Sequence, residues 1–114
     1  MIKSWDNIED FYRTGSQTRA DLKSMLSMVE GIMLSRYRDG LFPWTSMWNL
    51  CLAQHPVSYP YDGPYLLISP LFDGSIQFIY IDTPQKAKQW QRVMPENEAF
   101  ARLENFFDQL HWFG

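Results

Sequence analysis

Apolar residues first recur at helical intervals near the start of the chain. Trp5, Ile8, Phe11 and Tyr12 share one face, and Asp6, Glu9 and Asp10 fall on the other. Ser4 is placed to cap this first helix, over 5–12, and Gly15 to end it. The strongest helical pattern follows, with Leu22, Met25, Leu26, Val29, Ile32, Met33 and Tyr37 at steps of three and four. Thr18 can open it, with Asp21 in the reciprocal capping position, and Gly40 can stop it. A helix from Thr18 to Asp39 would be about 30 Å long at 1.5 Å per residue. Gly31 inside it costs roughly 1 kcal/mol against Ala and points to close packing there. Two shorter helices meeting near Gly31 are the alternative.

Beyond Pro43 the period falls to two. Trp48, Leu50 and Leu52 alternate with Asn49, Cys51 and Ala53, as in a strand. Three prolines and Asp62-Gly63 make 55–64 an extended connection. Tyr65 to Ser69 forms a buried-type strand, and Pro70 argues for an edge or a bulge. Asp73-Gly74 predicts a two-residue hairpin turn into a partner strand, Ser75 to Asp82. Residues 84–94 carry both patterns. Thr83-Pro84 and the following Gln, Lys and Ala favour a helix, and Lys88 to Met94 alternates as a fourth strand would. Helix is the preferred reading. A final helix opens at Glu96-Asn97-Glu98 and buries Ala99, Phe100, Leu103, Phe106, Phe107 and Leu110, and the apolar Trp112 and Phe113 predict a docked C-terminus. Helices, then grouped strands, then a helix predict one α+β domain over 1–114. It has two N-terminal helices, a three- or four-stranded antiparallel meander, and a C-terminal helix or helices packed on the sheet.

Composition narrows the function. The chain has 114 residues, 46% hydrophobic and 17% aromatic, which excludes a disordered polymer. A net charge of −3 argues against direct nucleic-acid binding and suits a basic protein partner. The one local basic excess is Lys86, Lys88 and Arg92, explained most simply as a solvated face. The first residues form no signal peptide and the apolar runs are too short for a membrane span, which predicts a cytoplasmic protein with no membrane partner.

Candidate chemistry is sparse. Cys51, His55 and His111 make no metal-ligand spacing, so neither a metal nor another cofactor is expected. On a strand, Cys51 and His55 would lie about 13 Å apart, too far for a nucleophile and its base. Cys51 reads instead as a small buried hydrophobe. The turn-borne Asp62, Asp73 and Asp82 suit local hydrogen bonding. No phosphate-binding, dinucleotide-binding or hydrolase motif is present, so no catalytic residue is assigned. Among the rings, Trp5, Phe11, Phe78, Trp90, Phe100 and Phe106 fit core stripes. Trp44, Trp48, Tyr59, Tyr61 and Tyr65 gather around the proline-rich connection, where they read first as the lining of a small core with few aliphatic residues and second as Trp and Tyr anchors for a protein partner.

The stretches Trp44-Thr45-Ser46-Met47-Trp48, Tyr61-Asp62-Gly63-Pro64-Tyr65, Ile68-Ser69-Pro70, Gly74-Ser75-Ile76-Gln77-Phe78, Asp82-Thr83, Lys88-Gln89-Trp90-Gln91-Arg92 and Asp108-Gln109-Leu110-His111-Trp112-Phe113 resemble small bacterial immunity proteins. These accompany contact-dependent growth inhibition and related polymorphic toxins. The resemblance covers roughly the last two-thirds of the chain and carries over no toxin-contacting residue. It implies a non-enzymatic role, the tight binding of one cognate toxin domain, often a basic nuclease. The expected binding face is then Asp6, Glu9 and Asp10, with Tyr59, Tyr61 and Asp62 as second choice. Two alternatives stand beside it. One is a small enzyme or ligand-binding domain with a pocket between sheet and helices, near His55, His111 or Cys51. The other is a homodimer formed through the proline-rich edge.

Overall fold

Five antiparallel strands, rather than three or four, form the centre of the molecule among the residues that the computed structural model describes, 2–57 and 63–113. They are β1 (Phe42–Ser46), β2 (Asn49–Ala53), β3 (Tyr65–Pro70), β4 (Ile76–Ile81) and β5 (Trp90–Met94), and they lie side by side in chain order. Helices α1 (Trp5–Ser16) and α2 (Leu22–Met33) precede the sheet and α3 (Glu96–Leu110) follows it. The α+β reading holds and the strand count is corrected.

Both added strands have a physical reason. The sequence pattern does not announce β1, because Phe42, Pro43 and Trp44 are all apolar and alternate positions do not differ in polarity. Pro43 is tolerated because β1 is an edge. At 84–94 the preferred helix gives way to a short 3-10 turn at Lys86–Lys88 and then β5. The Asp82 carboxylate accepts the Gln85 N–H at 3.1 Å and the Gln89 side chain accepts the Asp82 N–H at 3.1 Å, which closes the chain into a turn. Trp90 then stacks on Tyr80 and reaches Phe106, with centroids 5.8 and 4.5 Å apart. Packing a half-buried indole in that way outweighs a weak helical preference.

The helices are shorter or longer than their patterns suggest. α1 runs through Gly15, whose missing side chain matters for packing: a Cβ there would sit 2.8 Å from Leu22 Cδ1 and 3.0 Å from Trp48 Cζ3. Thr18 closes α1 rather than opening α2, donating its hydroxyl to the Gly15 carbonyl, and α2 begins at Leu22. α2 stops at Met33 instead of reaching Asp39. The Ser35 hydroxyl donates to the Ile32 carbonyl and accepts the Tyr37 N–H, turning the chain so that Tyr37 packs on Phe107 and Phe113, each at 4.9 Å. Gly31 does mark close packing, 3.1 Å from Phe100 when given a Cβ.

Within the sheet, Pro70 ends the central strand and is neither an edge nor a bulge residue. The β2–β3 pairing spans only Leu66 to Ile68, so no ladder donor is missed. The predicted hairpin joins β3 to β4, but its loop spans Leu71 to Ser75: Gly74 N–H donates to Leu71 O at 2.9 Å, and Gly74 takes φ 87°. α3 ends on left-handed His111, after which Trp112 N–H donates to Phe107 O at 3.0 Å. Trp112 is buried and Phe113 half-buried, so the described end of the chain is docked.

The sheet separates two apolar clusters. Leu50, Leu52, Leu66, Ile68, Ile76, Phe78, Tyr80 and Met94 face the helices and form the main core with Ile8, Tyr12, Ile32 and Phe107. On the reverse face Trp44, Cys51, Ala53 and Tyr65 form a smaller one, bordered by Ile2, Val57, Leu67 and Ile81.

Candidate protein-binding surface

In a meander the β1–β2 and β3–β4 turns emerge at the same end of the sheet. Here that end also meets the C-terminal part of α1 and the α1–α2 loop. The β1–β2 turn is two residues long, Met47 and Trp48, between the paired Ser46 and Asn49. Tyr12, buried in the core, donates its hydroxyl to the Trp48 carbonyl at 2.9 Å and fixes the turn. Burial pushes the Tyr12 phenol well above its ordinary value, so it stays a neutral donor. The Trp48 indole lies 5.1 Å from the Phe11 ring.

Two side chains extend this surface into solvent and a third, Arg19, packs against its rings. Met47 is 85% exposed at φ 56°, and Phe72, in the β3–β4 loop, is 93% exposed. The Arg19 guanidinium lies 5.2 Å from the Trp48 ring and 5.7 Å from that of Phe72. Asp21 accepts two hydrogen bonds from Arg19, at 3.2 and 2.5 Å, which holds the guanidinium plane against the rings. Beside Trp48 an open groove of about 550 Å³ runs along α1, lined by Asp10, Phe11, Thr14, Gly15, Thr18 and others. Aromatic, Met and Arg side chains, here Phe72, Met47 and Arg19 at the end of the sheet beside this groove, are the types enriched where proteins bind each other.

The structure divides the acidic residues of α1. Asp10 is exposed on the aromatic groove, whereas Glu9 turns toward α2, near Glu30, Met33 and Leu34, and is ion-paired to Arg13 at 3.1 Å. Asp6 is exposed one turn before Asp10. Tyr59, Tyr61 and Asp62 lie outside the described residues. The other rings of the connection do not gather at one place. Trp44 and Tyr65 are buried together on the reverse face, centroids 5.2 Å apart, while Trp48 is half-buried on the helical side. Phe72, Met47 and Arg19 are the surface residues that sequence reasoning missed. A bulky ring beside Asp73-Gly74, at a loop tip, was the available signal.

The groups considered for chemistry are dispersed. Cys51 is buried on the reverse face, its thiol pushed up to about 12 by burial, far from a thiolate nucleophile. His55 is exposed on a cleft of about 360 Å³ with Trp112 and Pro64, and His111 is the exposed cap of α3. Among the described residues no three His, Cys, Asp or Glu side chains are grouped to hold a metal, and no helix is long and apolar enough to cross a membrane. No family model, curated protein or solved structure matches this chain, so the surface is read from its own chemistry.

Proposed function

We propose that this chain is a protein-binding module that neutralises a cognate toxin domain in the cytoplasm of the producing cell, as an immunity protein does. One observation carries the binding reading: Met47 and Phe72 are held out in solvent beside the Arg19-buttressed Trp48. A left-handed backbone at a residue bearing a Cβ costs roughly 1–2 kcal/mol. A turn that accepts this cost to display a methionine implies a use for the methionine. Asp10 and Asp6 add negative charge along the same helix, suited to a basic toxin. The toxin assignment itself rests on the sequence resemblance.

The test is co-expression with the product of the neighbouring open reading frame. The expected result is a stable complex and rescue of growth, both lost in a Phe72→Ala, Met47→Ala double variant that folds normally. No complex and no rescue with the intact protein overturns the proposal.

A further inference from the structure

The two edges of the sheet are finished differently. At β1, Pro43 interrupts the edge, and the Lys3 N–H donates to the Pro43 carbonyl at 2.9 Å, so the N-terminal segment covers it. At β5 there is no proline, Gln91, Arg92 and Val93 are exposed, and among the described residues no element pairs with its outer side. An uncovered edge strand offers main-chain donors and acceptors to any extended chain that its side chains admit, and here the Gln91 carbonyl accepts a hydrogen bond from the Arg92 guanidinium at 2.8 Å, a bond that an incoming strand would replace.

Those side chains select by charge. Residues 83–95 contain Lys86, Lys88 and Arg92 and no acid, and all three cations are exposed. The neighbouring acids do not neutralise them by position. Asp82 is buried and accepts hydrogen bonds from Tyr80 and Gln85, while Glu96 lines the groove between α2 and α3. Arg92 lies over the Trp90 ring at 5.6 Å on the helical side of the sheet, and Val93 is 57% exposed. In the ladder Val93 pairs with Gln77 and Gln91 with Ile79, so the reverse-face surface beside the edge is uncharged. A second copy of β5 paired antiparallel about its centre would set Arg92 against Arg92, which disfavours self-pairing. An acidic strand turns the same charges into attraction.

We propose that β5 is a second docking site, which takes an extended acidic segment of another protein as a sixth strand. Alternate acidic side chains of that segment face Arg92, with the basic turn at Lys86–Lys88 beyond it. The intervening side chains lie beside Gln91 and Val93. This inference is independent of the toxin reading, because the β1–β2 and β3–β4 turns lie at the opposite end of the sheet from the Lys86–Lys88 turn.

The probe is a short capped peptide alternating Glu and Val, titrated into the intact protein and followed by amide chemical shifts and hydrogen exchange. The expected result is saturable shifts and slowed exchange confined to 90–94. N-methylating alternate peptide amides along one edge should weaken binding about tenfold, by removing main-chain hydrogen bonds. Arg92→Glu should weaken it about fivefold, and the Lys-Val version of the peptide should not bind. Absence of binding at millimolar peptide overturns the proposal. So does binding indifferent to N-methylation, which would be charge attraction without a strand, or shifts centred on Trp48 and Phe72. Concentration-dependent changes at 90–94 without peptide would show self-pairing and overturn it too.

Discussion

Replacing Met47 by Asn should stabilise the folded protein while weakening its binding to a partner. Met47 occupies φ 56° in a two-residue turn. Asn visits that region more readily because its short side chain bonds to local backbone. Relief of strain should be worth about 1 kcal/mol. Against this stands lost apolar burial. Met47 is 85% exposed, so only the remaining fraction of a side chain worth about 1.5–3 kcal/mol when fully buried is lost, a few tenths. The expected net gain is about 0.5–1 kcal/mol, seen as a higher urea midpoint at unchanged slope and a Tm rise of roughly 2–4 °C. Trp fluorescence can follow both, with Met47→Ala as the control that removes the side chain and keeps the strain. If Asn destabilises by about 0.5 kcal/mol or more, the methionine holds the turn together and is not there for display.

Three further outcomes follow from the same structure. Phe72→Ala should change stability by less than about 0.5 kcal/mol and lower affinity for a bound partner by about 2 kcal/mol, measured by denaturation and titration calorimetry. Phe107→Ala removes a fully buried ring between Tyr37, Trp112 and Phe113 and should cost about 3–5 kcal/mol; a loss under about 1 kcal/mol would contradict the packing. Cys51 is held as a neutral thiol with its pKa raised from 9.0 to about 12, so its contribution is full below the lower value and disappears as pH rises through the upper one. Stability should therefore fall between about pH 9 and 12, less steeply in Cys51→Ala, and the native protein should resist alkylation at about pH 8; ready labelling there would disprove the burial.

Patterns of sequence carried the helices and the β3–β4 hairpin, because each is set by neighbours in sequence. Trp5, Ile8 and Tyr12 fall on a buried stripe whatever lies opposite. Element ends were less legible. Gly15 reads as a stop, yet it is a packing residue for Leu22 and Trp48, and Thr18 serves the preceding helix instead of the following one. Only the sheet could decide β1 and β5, since one shows no alternation of polarity and the other is locally helix-like until Trp90 meets Tyr80 and Phe106.

The same division holds for the site. Asp6, Glu9 and Asp10 could be found by spacing alone, but which of them shares a surface with rings could not. A helix turns about 100° per residue, so Glu9 and Asp10 face different neighbours. The sequence by itself determined an α+β chain with buried helical stripes, one hairpin and a cysteine of no evident chemistry. Tertiary structure alone brought Met47, Phe72, Arg19 and Trp48 to one end of the sheet, because a meander places alternate turns together however far apart they lie in the chain.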